Sequence, residues 1–182
     1  MKINLGAGYS KVQDYVSCDH DPLTNPDYLV DLEKDPLPFE DSSVEGVLAH
    51  HILEHMGDGY FHLLKEIYRV CKNGAIVDVR VPHPRSDAYL ADPTHKRPIL
   101  PLGMKLFSKK FNQICEENHF SSSQLGNYYD VDFDVLSWDY MPNEKYRDQF
   151  EGMTREKVEE YIDQHANIVN EIHMKLIVIK PE

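Results

Sequence analysis

Apolar and polar positions change period along the chain, and each change marks an element. Ile3 and Leu5 run into Gly6-Ala7-Gly8, which predicts a short strand closed by a tight turn. Tyr15, Val16 and Cys18 predict a second strand ending on Asp19, and Tyr28-Leu29-Val30 a third ending on Asp31. Residues 32–43 hold two prolines and no helical period, so they should cross the sheet as an extended loop. The near-continuous apolar run from Val44 to His50 reads as a buried parallel strand, weakened by Gly46. His51 to Met56 predicts one short helical turn, stopped by Gly57. From Tyr60 to Asn73 the residues Tyr60, Leu64, Ile67 and Cys71 recur at helical spacing, with Asp58 placed to cap the start and Gly74 to stop the end. Ala75 to Val81 predicts a fifth strand, closed by Pro82 and Pro84.

From His83 to Gly103 the period dissolves into proline, charge and histidine, the composition of a lid or substrate loop. A helix is expected from about Met104 to Asn118, with Phe107, Phe111, Ile114 and Cys115 on one face. Tyr128 to Trp138 alternates with period two and reads as a strand. Thr154 to His165 reads as a capped helix, and Glu171 to Lys180 as a last strand. The sum predicts one domain over residues 1–182, of α/β class: a Rossmann-like, mostly parallel sheet flanked by helices, with an antiparallel edge formed by the C-terminal strands. Ligands on such a sheet sit at the carboxyl ends of its strands, where Gly6, Gly8, Asp19, Asp31, His50 and His83 fall.

Composition narrows the partners. With 182 residues and 41% of them apolar, the chain can bury one sizeable core. Its formal net charge of −12, from 19 Lys+Arg against 31 Asp+Glu, repels a phosphate backbone, so no nucleic-acid partner is expected, and a cationic cofactor or a small neutral substrate suits it better. No apolar run approaches the roughly 20 residues that cross a bilayer, so no membrane partner is expected. Cys18, Cys71 and Cys115 are odd in number, widely spaced and set in apolar patterns, which reads as reduced core thiols of a cytoplasmic protein. Oligomeric state is not legible.

A glycine turn after the first strand, followed by an acid at the tip of the second, is the layout of a nucleoside-cofactor site: the glycines let backbone approach the ligand and Asp19 accepts from ribose hydroxyls. A nicotinamide dinucleotide would want a third glycine where Lys11 stands and an acid later than Asp19. The segments NLGAG, YVSCD, VDLEKDPLPFEDSSVEGVLAHHILEHM and LLKEIYRVCKNGAIVDVRVP, in this order over Lys2 to Pro84, resemble the class I S-adenosylmethionine-dependent methyltransferases, in particular a compact subgroup. DPTHKR at Asp92–Arg97 and the closing EIHMKLIVIKP also resemble segments of that subgroup. The resemblance implies S-adenosylmethionine as cofactor, with Gly6, Ala7 and Gly8 under its methionine part. It further implies Asp19 on the ribose, Asp31 and Leu32 at the adenine edge, and His50 or His51 beside the methionine. Asn4 and Ser10 stand where the family often has an acid and a third glycine; Asn4 can still donate and accept, and stays in the set.

His83 and His95 are the candidate catalytic bases, because histidine removes protons near neutral pH. His51-Ile52-Leu53-Glu54-His55 also matches the HxxEH pattern of inverted zinc metalloproteases, but Gly57 cuts its helix short; no metal site is assigned. The aromatic residues Tyr128, Tyr129, Phe133, Trp138 and Tyr140 read as sheet packing. The expected activity is methyl transfer to an oxygen or nitrogen of a small-molecule or sugar-like acceptor. The alternative is an inactive methyltransferase-like module that binds cofactor or a partner.

Overall fold

The computed structural model describes residues 1–181. Strands β1 (Lys2–Leu5), β2 (Val16–Asp19), β3 (Tyr28–Leu29), β4 (Val44–His50), β5 (Cys71–Pro82), β6 (Phe133–Pro142) and β7 (Val169–Val178) form one sheet in the order β3-β2-β1-β4-β5-β7-β6. The first five pair in parallel, and β7 runs antiparallel between β5 and β6. The expected antiparallel edge is therefore present. Strand order reverses at β1, whose neighbours are β2 on one side and β4 on the other, and such a reversal opens a crevice at the strands' carboxyl ends.

The helices are α1 (Tyr60–Val70), α2 (Asp87–Leu90), α3 (Pro101–Lys105), α4 (Lys109–Glu117), α5 (Leu125–Tyr129), α6 (Arg147–Phe150) and α7 (Arg155–Gln164). Helix α1 buries Leu63, Leu64 and Ile67 in one core with Ile3, Val47 and Val79 of the central strands. The other face of β5 and β7 is more polar. Asp78, Arg80 and His173 are half-buried there, alternating with buried Val77, Val79 and Ile172.

Four local expectations are corrected. Helix α1 ends at Val70, and Asp58 does not cap it; Gly59 holds the cap position with no side-chain bond. Gly74 does not stop the helix, because Cys71 already begins β5. It lies instead at φ +80° where β5 bulges, Val44 facing Cys71 and Gly46 facing Ile76. The single helix expected over 104–118 is two, α3 and α4, divided at Ser108, whose hydroxyl accepts from Phe111 N–H and donates to Asp134. Residues 125–129 are helical, and β6 starts only at Phe133, after Asp130 in the left-handed region at φ +52°. Helix α7 begins from the Thr154 cap as expected.

The 32–43 loop is held onto α1 by Arg69, whose guanidinium donates to the Leu37 and Phe39 carbonyls at 2.9 Å each and to Glu66 and Asp41 at 2.7 Å. Its charged form is favoured first by the Glu66 bond. Arg69→Met keeps the packing stem and deletes those bonds. Since Arg69 is about a third exposed, we expect a loss of about 2 kcal/mol in denaturant unfolding rather than the full sum of four charged bonds. A change below about 0.5 kcal/mol would show that water replaces them.

Candidate functional site

The turn after β1 puts two glycines in the left-handed region, Gly6 at φ +61° and Gly8 at φ +52°. Eleven positions separate Gly8 from Asp19, and no helix forms between β1 and β2. Two tight turns replace it, closed by Ser10 N–H on Ala7 O and Tyr15 N–H on Val12 O. The amide of Asn4 donates to Ser10 O at 3.1 Å, tying the loop back to the strand that launched it. A cleft of about 410 Å³ opens above this turn, between Asn4, Gly6, Ala7 and Gly8 on one wall and His50, His51, Arg80 and Glu171 on the other. Six of the residues named from the sequence thus meet at the switch point.

Arg80 and Glu171 were not among them. β7 brings Glu171 opposite Pro82 and His173 opposite Arg80, a long-range pairing that no local pattern displays. The available signal was the alternation itself: Asp78 and Arg80 in AIVDVRV mark a face left open for polar work. Among the described residues Arg80 Nε is buried without a hydrogen-bond partner, the nearest carboxylate oxygen being Asp78 Oδ1 at 3.5 Å.

His50 Nε2 meets Asp78 Oδ1 at 2.7 Å, yet burial outweighs that bond and the His50 pKa is pushed below the usual histidine range. His51 is the reverse. Glu171 and then Glu54, at 3.4 and 3.5 Å, raise it to about 9, and Glu171, facing His51 first and His173 second, falls to about 2. At such lengths these are ion-pair contacts rather than aligned hydrogen bonds.

The other sequence-named residues lie outside this cleft. Asp19 is buried, its Oδ2 accepting from Gly8 N–H at 2.7 Å and its Oδ1 from Asp21 N–H at 2.9 Å. It therefore fastens the glycine turn to the end of β2. A carboxylate has about four acceptor positions, so two remain for a ligand. Asp31 holds its own turn, accepting from Glu33 N–H at 3.0 Å and pairing with Lys34 at 2.7 Å, while Leu32 is buried. His83 is buried in a separate cleft with Trp138, Tyr140 and Ile162, where burial and then Arg85 lower its pKa. His95 lines a third cavity, which includes Glu54, His55 and Glu171.

The 83–103 segment is tied down. Lys96 and Arg97 N–H groups donate to Glu54 O, Arg97 donates through Nε and a terminal nitrogen to the Met56 and Gly57 carbonyls, and its guanidinium lies 4.3 Å from the Tyr60 ring centre. The HxxEH residues adopt no protease geometry: His51 sits at φ +54° outside a one-turn 3₁₀ segment of Leu53–His55, so the two histidines share no helical face. The aromatic residues disperse, Tyr129 stacking on Phe61 at 4.4 Å and Trp138 lying 3.9 Å under Arg155, while Tyr128 is exposed. All three cysteines are free and buried, and burial pushes Cys18 and Cys71 up to about 12. Among the described residues no helix is long and apolar enough to cross a membrane.

Residues 11–77 match the methyltransferase domain family. No curated protein matches the sequence. An S-adenosylmethionine-dependent methyltransferase from Archaeoglobus fulgidus has the same fold, with a TM-score of 0.63 at 15% identity over 97% of this chain and 85% of its own. The complex of the Haloferax volcanii Trm112 methyltransferase activator with a methyltransferase gives 0.58 at 15% identity, covering 100% and 82%. The [4+2]-cyclase SpnF gives 0.56 at 14% identity, covering 99% and 75%.

Proposed function

From a chain that folds as a class I S-adenosylmethionine-dependent methyltransferase and matches the methyltransferase domain over residues 11–77, we propose an enzyme that methylates an oxygen or nitrogen of a small molecule. The observation that carries it is the cleft at the switch point, with two left-handed glycines on its floor. Its residues fit S-adenosylmethionine. A Cβ built on Gly8 meets nothing within 4 Å, so backbone there faces room for a ligand. At about 410 Å³ the cleft is of the size that holds drug-sized ligands.

In this reading Gly6, Ala7 and Gly8 pass under the methionine part, and Arg80, with an unpaired buried Nε, takes its carboxylate. Glu171 offers negative charge to the ammonium or sulfonium, and Asp19 takes ribose hydroxyls with its two spare acceptor positions. Asp31 and Leu32 border the adenine, on a side where the short path from Gly8 to Asp19 leaves the cleft open. The cofactor, when bound, supplies a methyl group already activated on sulfonium. What remains to the chain is positioning, exclusion of water and at most one proton transfer. The segment 83–103 walls the acceptor side. His50, kept neutral by burial beside Asp78, has a lone pair near the cleft; His83, in its separate pocket, would reach an acceptor only from the far side.

Calorimetry tests the cofactor reading: S-adenosylmethionine and its demethylated product should both bind at sub-millimolar concentration, and absence of heat for both would sink it. SpnF is a cyclase on this fold, so the fold alone does not imply methyl transfer, and an inactive cofactor- or partner-binding module is the second reading. Labelled methyl transfer to a metabolite of a cell extract decides between them.

A further inference from the structure

We propose that Glu54, His55 and His95 form a site for a divalent transition ion of the zinc type, whose open coordination position takes an acceptor oxygen. One ligand atom from each of the three residues lies within 4.8 Å of the others. A zinc-type ion holds such ligands at about 2.0–2.2 Å, so the three side chains would draw in around it on binding.

Glu54 is the anomaly that points to a ligand. It is 1% exposed, and among the described residues neither of its carboxylate oxygens has a hydrogen-bond partner; His51 Nδ1, at 3.5 Å, is the nearest cation there. A buried carboxylate without partners is costly unless something else completes it. The structure builds this residue into place all the same. The Glu54 carbonyl accepts from both Lys96 and Arg97 N–H groups, which straps the 83–103 segment to the 3₁₀ turn and lays His95 against His55, ring centres 4.7 Å apart.

Both imidazoles are held with a lone pair to give. His95 Nδ1 lies 2.7 Å from Tyr89 O; a carbonyl only accepts, so Nδ1 carries the proton and Nε2 is free to ligate. Thr94 Oγ1 donates its one proton to Asp92 Oδ1 at 2.6 Å and must accept from His55 Nδ1 at 2.9 Å, which again leaves Nε2 unprotonated. Carbonyl and carboxylate-backed partners on the non-ligating nitrogen are what orient metal-binding histidines. Two neutral imidazoles and one carboxylate suit Zn²⁺, Co²⁺ or Fe²⁺; Mg²⁺ prefers an all-oxygen shell.

Three protein ligands leave a position open, and it faces a cavity of about 310 Å³ that shares His51 and Glu171 with the cofactor cleft. An oxygen bound there would be fixed beside the methyl donor, and a bound hydroxyl would release its proton to water more readily. This second clause rests on the methyltransferase reading; the metal site does not. It also makes His95 a ligand, not a base, and gives Glu54 and His55 of the HxxEH stretch a role without a protease.

The test is a titration of the chelator-treated full chain with Co²⁺, followed by visible absorption, and with Zn²⁺, followed by calorimetry. About one ion per chain should bind, with intense bands of low-coordinate cobalt, and Mg²⁺ should give nothing. Glu54→Gln and His95→Ala should each weaken binding more than about 100-fold, and Thr94→Val, which keeps all ligands, by roughly 10- to 100-fold. His165→Ala, on an exposed histidine, should change nothing. Glu54→Gln also loses the ion-pair contact with His51, so its melt with Zn²⁺ is compared with that of its own apo form, and the rise on adding Zn²⁺ should vanish. No cobalt spectrum, or binding that survives Glu54→Gln and His95→Ala, overturns the site even if S-adenosylmethionine binds. Metal binding without any cofactor binding supports the site and overturns its role for the acceptor.

Discussion

Asp19→Ala should weaken S-adenosylmethionine about ten- to hundredfold and, in the same protein, cost about 1–3 kcal/mol of stability. The double effect follows from where the carboxylate sits. It is nearly buried, and each oxygen already accepts one backbone N–H, from Gly8 and from Asp21. Deleting it orphans both amides and frees the glycine turn from β2, so the cofactor would lose a ribose acceptor and a shaped floor together. Asp31→Ala is the contrast. Its bonds are local to its own turn and it is 38% exposed, so stability should move by less than about 0.5 kcal/mol and affinity by less than about tenfold. Calorimetry and denaturant melts on both variants separate the outcomes. Unchanged affinity in a destabilised Asp19→Ala would leave Asp19 as a fastener alone.

What could be read from the chain alone followed from how local each determinant is. Strands β1, β2 and β4 and the cap of α7 were legible because alternation, a glycine turn and a Thr154 cap act within a few residues. The break at Ser108 was not. Met104, Phe107, Phe111 and Cys115 keep helical spacing across it, and what favours two helices lies partly beyond it: Gly126 N–H joins the Asn112 side chain in claiming Leu106 O. Tyr128 and Tyr129 alternate like a strand but are drawn into helix by the same contact, with Phe61 receiving Tyr129.

The site divides the same way. The glycines and Asp19 are joined by one short loop of two turns and so were visible in order. Arg80 and Glu171 meet only because β7 inserts antiparallel beside β5. Glu54 and His95 are 41 positions apart in number, and they meet through tertiary contacts such as the strap of Lys96 and Arg97 on the Glu54 carbonyl. Titratable residues looked alike in the sequence; which of them shares a cavity was decided by tertiary pairing.

The glycine turn yields the sharpest contrast between folding and binding. Gly6 and Gly8 are both left-handed, and an L side chain there costs about 1–2 kcal/mol before any clash. At Gly8 a Cβ enters open space, so Gly8→Ala should lose only that amount of stability; in the proposed binding mode its methyl would stand in the path of the cofactor, and affinity should then fall more than about tenfold. At Gly6 a Cβ would lie 2.7 Å from Ile52 Cδ1 and 3.2 Å from Ile52 Cβ. Overpacking of that kind adds about 1–3 kcal/mol, so Gly6→Ala should lose about 2–5 kcal/mol in all. Adding Ile52→Ala to Gly6→Ala should return part of the steric share and none of the backbone share, giving a favourable coupling of about 0.5–3 kcal/mol in a double-mutant cycle. Urea melts of the four proteins measure it. Additive losses would mean that Ile52 already yields, and equal losses at Gly6 and Gly8 would mean that backbone conformation alone sets the requirement for glycine.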